Sequence, residues 1–289
     1  MTKGDIHTDR QQAGQGFPGE QHEALKALET SLRRFDNPAT ALKALTGLLS
    51  EHEPMKARPA SSEVRGGPGF RVNSDFPRVS PQQFEQLKGF ETTDISDALN
   101  RMFTMNPKIR NVVNSSPLYG PAITVKVFPG DNLMVHKALD VARPGDVIVI
   151  DTSGIAQNAV VGDMIGNKAK HKKIAGFIVD GLVRDLPGLQ EIGLPMYARG
   201  ITSFGPLHRG PGELGYSVSC GGIVVNPGDA ICADESGIVV VRNEFVEDTI
   251  EHLKTQKPTL DAYVENVKNG VFSNDWVDRQ LKQDSCLFE

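Results

Sequence analysis

Two kinds of apolar pattern divide the chain. Near its beginning, leucines recur at spacings of three and four residues, the period of an amphipathic helix, and Asn37-Pro38 carries a helix-start signal between two such stretches. Further along, runs of four apolar residues such as residues 147–150 predict strands that are buried on both faces. The pattern therefore predicts two short helices within residues 21–52 and, from residue 76 onward, helices and strands in alternation.

The second region predicts a sheet with attached helices. Helices are expected at residues 92–99, 132–142 and 166–173, and strands at residues 122–127, 147–150, 174–180, 223–225, 230–233 and 238–241. Pro-Gly-Asp turns occur three times, and two of them precede short apolar strands, which is typical of a β-rich sandwich or barrel. No dinucleotide-binding glycine motif or P-loop lies between a predicted strand and a predicted helix, which argues against a Rossmann fold. The glycine-rich residues 210–215 are expected to form a mobile loop.

The local amino-acid composition also predicts the domain organisation. Residues 1–20 are polar and glycine-rich and are expected to be disordered, and residues 54–69 are rich in proline and glycine and are typical of a linker. We therefore expect an N-terminal extension over residues 1–72, with two short helices and a role that the sequence leaves open. Residues 73–289 are expected to form an α/β domain with a C-terminal helical tail.

Composition narrows the class of protein. The chain has 289 residues, of which 39% are hydrophobic, and a net charge of −5 argues against nucleic acid or an anionic membrane as its partner. No stretch approaches the roughly 20 apolar residues of a membrane span, and the polar first residues do not resemble a secretory signal. The three cysteines contain no CxxC motif and are typical of reduced thiols. We expect a cytoplasmic protein.

An anion site is predicted where a helix begins. If a helix begins near Asp163, the amides of Met164 and Ile165, after Gly162, fall in its first turn, where N–H groups lack intrahelical partners and the dipole is positive. Such amides bind carboxylates. Arg184 follows the next predicted strand and has the planar geometry for a two-pronged grip on the same anion. The start of this helix and the end of this strand can lie close together in space.

Two carboxylates accompany this anion site. Asp185, beside Arg184, is a hard oxygen ligand suited to Mg²⁺ or Mn²⁺, which take one or two carboxylates plus waters and substrate. Asp163 is placed to hold a water near the metal. The set predicts a site for a small 2-oxo acid beside a divalent metal. By residue type alone, a surface Arg–Asp pair and an ordinary aspartate at a helix start are the alternatives.

Other polar residues have simpler interpretations. His136 lies in a predicted helix and is expected to be structural or supporting rather than a base. His208, in a glycine- and proline-rich loop, could touch substrate but is by default a loop residue. Asp234 ends a strand and is typical of a turn. The basic residues from Lys168 to Lys173 are expected to form the solvated face of a helix.

Five sequence blocks resemble the RraA-like family, which includes 4-hydroxy-4-methyl-2-oxoglutarate aldolases. They are TDISDAL (93–99), GDNL (130–133), PGDVIVID (144–151), GD (162–163) with DGLVRD (180–185), and CGGIVVNPGD (220–229). The blocks fall in order and cover roughly residues 76–245. The resemblance favours a functional role for Arg184 and Asp185 over the surface ion pair.

The resemblance implies a fold and a site. The fold is a compact α/β sandwich resembling a phosphohistidine swivelling domain, assembled as homotrimers or homohexamers. Pyruvate is held by the amides at Met164 and Ile165 and by Arg184, while Asp185 holds the metal, most often Mg²⁺, and Asp163 helps to hold nearby waters. A further acid comes from a neighbouring subunit and has no assigned position in this chain.

The activity implied is a metal-dependent retro-aldol cleavage of a 4-hydroxy-2-oxo acid, with a water near the metal as base and a pyruvate enolate as intermediate. Oxaloacetate decarboxylation follows from the same enolate. One departure stands out: the aldolases carry an acid three residues after the metal aspartate, where this chain has Gly188. The alternative is a non-catalytic member that inhibits an RNA-degrading endonuclease; Arg184 and Asp185 together favour the enzyme. A methyltransferase role has no supporting motif.

Overall fold

The chain divides into two compact units, Met1–Glu63 and Val64–Glu289. The computed structural model describes residues 63–155 and 157–288, with Lys26 and Thr30, both helical, from the earlier part of the chain. The disordered start and the two short helices predicted within residues 1–52 otherwise lie outside the described residues. None of the described helices is both long enough and apolar enough to span a membrane.

The second unit contains twelve described strands and seven α-helices. The strands are β1 (Phe70–Val72), β2 (Arg110–Asn111), β3 (Leu118–Val127), β4 (Val147–Asp151), β5 (Ala159–Val161), β6 (Gly176–Val183), β7 (Met196–Ile201), β8 (Gly212–Leu214), β9 (Val218–Cys220), β10 (Ile223–Val225), β11 (Ala230–Ala233) and β12 (Ile238–Val241). The helices are α1 (Pro81–Leu87), α2 (Thr92–Ala98), α3 (Leu133–Val141), α4 (Asp163–His171), α5 (Leu186–Ile192), α6 (Val246–Lys268) and α7 (Asp275–Gln283).

A mixed sheet organises this unit. Its main order is β1-β8-β3-β4-β6-β7-β2, and the neighbours β3, β4, β6 and β7 run parallel. The short β5 pairs parallel with β6, and β11 lies antiparallel between β3 and β12. Because β3, β4, β5 and β6 share one direction, their carboxyl ends meet at one edge, where α/β sheets usually place ligands.

The core has two sides. On one face, α3, α4 and α5 cover an apolar cluster that includes Ile148, Ile150, Phe177 and Ile165. On the other face, Val149, Ile178 and Tyr197 pack under the β9–β10 hairpin and the β11–β12 pair. The unbroken apolar runs of β4 and β6 follow from this burial on both faces. The predicted mixed α/β class is confirmed in this form, a mixed sheet covered by helices.

Two predictions for this unit are wrong. Residues 70–72, assigned to the N-terminal extension, form β1 and pair with β8, so the unit begins at Val64 rather than at residue 73. Residues 210–215, expected to be a mobile loop, contain β8, which also pairs with β3. Gly212 is required there because a Cβ would lie 2.4 Å from the Lys126 carbonyl oxygen.

The cysteines and the C-terminal tail complete the unit. Cys220 and Cys232 are buried, and Cys286 is exposed; none is in a disulfide. Burial raises the pKa of the Cys232 thiol to about 12 and raises that of Cys220 well above its ordinary value. The first half of α6 packs on α1 and α2, whereas its second half and most of α7 are exposed.

Candidate functional site

The centre of the candidate site is the junction between β5 and α4. Gly162 is the N-cap of α4, and its carbonyl accepts the Gly166 N–H at 3.0 Å. The helix therefore begins at Asp163, three residues before the start predicted from the sequence and where the predicted anion site requires it. Among the described residues, no acceptor pairs with the amides of Met164 and Ile165, which leaves first-turn N–H groups available to an anion. The Met164 side chain is exposed, whereas Ile165 anchors the helix in the core.

Arg184 and Asp185 converge on that junction. A Cβ at Gly162 would lie 2.6 Å from Asp185 Oδ2 and 3.3 Å from Arg184 Nε. Gly162 has an extended φ of −139°, so glycine is needed here for space and not for its dihedral freedom. The Arg184 N–H donates to the Val161 carbonyl at 3.0 Å and thereby continues the β5–β6 pairing into the site. The predicted meeting of helix entry and strand exit is present.

The backbone of Asp185 is unusual. Its φ of 59° and ψ of 44° are left-handed, a conformation that aspartate and asparagine tolerate better than most residues. Its carbonyl accepts the Leu189 N–H at 3.0 Å and so begins α5, while its carboxylate meets Arg184 Nε at 3.2 Å. Both side chains are about two-fifths exposed, at 40% and 41%, so the pair is open to a ligand rather than sealed.

Asp163 lies between the start of α4 and the neighbouring helix α5. It occupies the first helical position of α4, where a carboxylate complements the helix dipole. A Cβ at Gly188, in α5, would lie 2.8 Å from the Asp163 Cβ and 3.1 Å from its Oδ2. The helices α4 and α5 approach so closely that a side chain at residue 188 would collide with Asp163. This gives a steric reason for glycine at the position where the aldolases carry an acid.

The segment between β7 and β8, residues 202–211, forms one wall of the site. The sequence pattern does not predict this. Gly205 lies against Arg184, since a Cβ there would be 2.6 Å from Nη1. Asn158 Nδ2 donates to the Gly205 carbonyl at 2.7 Å, and the Ala159 N–H donates to the Phe204 carbonyl at 2.8 Å. Neither Asn158 nor Gly205 belongs to a motif or a periodic run. Only the pairing of this segment with β5 identifies them.

The GDNL block anchors the same segment. Asp131 and Asn132 are buried, with 2% and 3% exposed, and they sit where β3 leads into α3. The Asp131 carboxylate accepts the Leu133 N–H at 2.8 Å and the Arg209 N–H at 2.5 Å. Asn132 Oδ1 lies 2.6 Å from His208 Nδ1. The block is recognisable in the sequence, but its partners His208 and Arg209 lie more than 70 residues further along the chain and give no local signal.

Of the residues with simpler interpretations, Asp234 and the basic residues of α4 lie as predicted, while the supporting role of His136 stays a prediction. His136 stacks edge-on with His208 at 5.7 Å between ring centroids, and burial, then Lys168 and His208, lower its pKa. Asp234 is a turn residue that accepts the Ser236 N–H at 2.8 Å. Its carboxylate also accepts hydrogen bonds from the Thr92 N–H and the Thr92 hydroxyl. Burial by itself raises the pKa of Asp234, but these hydrogen bonds lower it overall. The basic residues of α4 are exposed, as expected.

The donor set fits one class of metal. Within the part of the chain that the structure describes, no three His, Cys, Asp or Glu side chains form a cluster, which excludes a closed zinc-type site there. Asp185, which lies against Gly162, and Asp163, the first residue of α4, match the sparse carboxylate set of Mg²⁺ or Mn²⁺, which retain several waters and take substrate oxygens. The residues present are thus compatible with the predicted Mg²⁺.

Fold and site together define a mixed α/β domain with an anion-binding geometry at the carboxyl edge of its parallel strands. The family model described as RraA-like, Aldolase/RraA, matches residues 92–240. A protein of Halalkalibacterium halodurans named "Putative 4-hydroxy-4-methyl-2-oxoglutarate aldolase" is 36% identical over 188 residues, which are 65% of this chain and 90% of that protein. The chain belongs to the RraA-like family, as the sequence blocks predicted.

Solved structures agree on the fold. RraAS2 of Streptomyces coelicolor, described as an unusual member of the RNase ES inhibitor RraA protein family, has a TM-score of 0.61 at 24% identity, covering 65% of this chain and 98% of that one. RraA from Thermus, described as an RNA-processing inhibitor, has a TM-score of 0.50 at 29% identity, covering 53% and 92%. The family thus contains proteins named for catalysis and proteins named for inhibition.

Proposed function

We propose that this protein is a divalent-metal-dependent aldolase, a carbon–carbon lyase that cleaves a 4-hydroxy-2-oxo acid to pyruvate and a second oxo acid. The observation that carries the proposal is the convergence of Arg184 and Asp185 on Gly162, at the start of α4. This places a guanidinium, free helix amides and a carboxylate around one small space. The name of the Halalkalibacterium relative supports the same reaction and suggests 4-hydroxy-4-methyl-2-oxoglutarate as the first substrate to test.

The chain's own residues would bind the pyruvate portion. The amides of Met164 and Ile165 donate to its carboxylate at the positive end of the α4 dipole. Arg184 grips the same carboxylate and adds positive charge where the enolate develops. Gly205 and Asp185 hold the guanidinium from two sides, so little reorganisation is needed during the reaction.

Asp185, supported by Asp163, would hold Mg²⁺ or Mn²⁺. When bound, such an ion supplies positive charge that stabilises the enolate. Loss of CO₂ from oxaloacetate gives the same enolate, so the site is also expected to catalyse oxaloacetate decarboxylation. We further propose a cytoplasmic homotrimer or homohexamer. Apolar side chains around the site, including Met164, Ile201 and Phe204, are exposed by 70%, 47% and 58%, and a second copy would cover them.

The second candidate is a non-catalytic regulator that binds and inhibits an RNA-degrading endonuclease. The names of the Streptomyces and Thermus structures favour it. An inhibitor needs no carboxylate at residue 185 and no arginine at residue 184, whereas both are placed here around an open helix start. The two candidates differ in what they require from these residues.

The deciding experiment measures pyruvate release from 4-hydroxy-4-methyl-2-oxoglutarate and from oxaloacetate, with Mg²⁺ and with excess EDTA. Metal-dependent release from both substrates supports the aldolase. No release from either substrate, combined with inhibition of an RNA-degrading endonuclease of the RNase ES type, would establish the regulator instead. Release that persists in EDTA would exclude the proposed metal role.

A further inference from the structure

The segment beside Arg184 also carries a histidine held in one orientation. Gly205 touches the Arg184 guanidinium, and three residues later His208 meets Asn132 through its Nδ1 at 2.6 Å. The backbone is fixed on both sides of Leu207, whose N–H donates to the Gly130 carbonyl and whose carbonyl accepts the Asn132 N–H. The imidazole is therefore part of a positioned wall.

Hydrogen bonding decides which ring nitrogen carries the proton. Asn132 Nδ2 donates to the Val160 carbonyl at 3.2 Å, and a carbonyl can only accept, so this bond fixes the amide orientation. Asn132 Oδ1 consequently faces His208 and must accept, which places the proton on Nδ1. Neutral His208 then has a free lone pair on Nε2. That is the form a general base needs.

Hydrogen bonds and short stretches of chain link the imidazole to the proposed site. Val160, which fixes Asn132, precedes the Gly162 junction by two residues in β5. The helices α3 and α4 both begin at the carboxyl edge of the parallel strands, and His208 lies beside the start of α3. His208 is exposed, whereas its neighbour His136 is partly buried within α3. Of these two histidines, His208 is the more exposed.

We propose that His208 is a catalytic residue that moves the proton of the substrate's C4 hydroxyl. This inference rests on the proposed aldolase function. Nε2 takes the hydroxyl proton, the C3–C4 bond breaks, the C4 oxygen becomes a carbonyl, and the electron pair passes into the pyruvate enolate. The imidazolium then returns the proton to C3, which forms pyruvate and restores the neutral ring. No oxidant, reductant or further reactant is required.

Two reactions at one site separate this role from a structural one. Oxaloacetate has no C4 hydroxyl, so its decarboxylation to the enolate needs no base at that position. His208→Gln should therefore lower cleavage of 4-hydroxy-4-methyl-2-oxoglutarate by about 100-fold, a typical general-base contribution. Oxaloacetate decarboxylation by the same sample should stay within about threefold, which also shows that the variant is folded and binds metal. His171→Gln, at the exposed end of α4, is the matched control.

The outcomes are distinct. Selective loss of cleavage, restored when free imidazole is added to His208→Ala, supports the assignment. Equal loss of both activities means that His208 only supports the wall, and unchanged cleavage means that it takes no part; either result overturns the assignment while leaving the aldolase in place. A wild-type protein that performs neither reaction overturns the proposed function, and this inference with it.

Discussion

The backbone of Gly205 lies directly against the guanidinium of Arg184, so closely that a Cβ on the glycine would be 2.6 Å from Nη1. The atom it would strike is the end of a flexible side chain, which can move aside at low cost. The contact therefore affects the orientation of the Arg184 side chain more than the stability of the fold.

Gly205→Ala should lower pyruvate release by at least about tenfold, equivalent to about 1.4 kcal/mol of transition-state stabilisation. The displaced guanidinium would no longer meet the carboxylate held by the α4 amides. Thermal stability should stay close to that of the wild type. Gly66→Ala is the control, because a Cβ there meets nothing within 4 Å. A catalytic efficiency equal to that of the wild type would show that the wall does not position Arg184.

Arg184→Lys keeps the positive charge but removes the planar, two-pronged contact. We expect kcat/KM for pyruvate release to fall by at least about tenfold for both substrates, because both pass through the same enolate. Arg110→Lys, on an arginine whose Nε bonds the Pro107 carbonyl at 2.9 Å, is the matched control. Retained efficiency in Arg184→Lys would reduce Arg184 to a surface residue.

Asp185→Asn tests the metal ligand without disturbing the chain. Asparagine tolerates the left-handed backbone at this position as well as aspartate does, so the substitution isolates the loss of the carboxylate charge. Activity should disappear, and Mn²⁺ binding measured by paramagnetic resonance should weaken in parallel, since a neutral amide is a poorer ligand for a hard cation. Undiminished Mn²⁺ binding would show that Asp185 is not a metal ligand.

Gly188→Asp would restore the acid that the aldolases carry, but the geometry predicts harm. The new Cβ would meet the Asp163 Cβ at 2.8 Å, and a second carboxylate would repel the first. We expect a destabilisation of about 1–3 kcal/mol, the usual cost of overpacking, measured by denaturant unfolding. The double variant with Asp163→Gly should recover most of it. Additive destabilisation in the double variant would mean that the two positions do not meet.

The corrected domain boundary gives a prediction with a pH dependence. A chain starting at residue 64 keeps β1, in which Arg71 Nε and the Gly69 N–H meet Glu213 Oε1 at 2.7 and 2.8 Å, whereas one starting at residue 73 loses these contacts. We expect the shorter chain to melt at least about 3 °C lower at pH 7. Equal melting temperatures would show that β1 is dispensable.

Burial opposes the ionisation of Glu213, but the bonds from Gly69 and Arg71 lower its pKa below the ordinary 4.5. A lowered carboxyl pKa gives stability that is fully present above the unfolded value and is lost as pH falls through the folded value. The advantage of the longer chain should therefore be constant above about pH 5 and shrink below pH 4.5. A difference that grows on acidification would contradict the role of Glu213.

The parts of the site that depend on short sequence signals could be predicted. The parts that depend on contacts between residues far apart in the sequence could not. Asp163 begins a helix and Arg184 follows a strand because each signal lies within a few residues of chain, and their order brings both to the same edge of a parallel sheet. Gly205 and Asn158 meet across 47 residues with no periodic pattern to announce them. For the same reason β1 and β8 were misassigned: each is three residues long and glycine-rich in its surroundings, and each becomes a strand only through its partner.

The contrast among the cysteines has a practical consequence. Two thiols are sealed in the core and stay protonated at neutral pH, while Cys286 stands exposed near the end of the helical tail. A maleimide dye at neutral pH should therefore attach to a single position in each folded chain, far along the sequence from the residues of the site. Counting photobleaching steps in single particles would then read the number of subunits directly, with an unsubstituted protein.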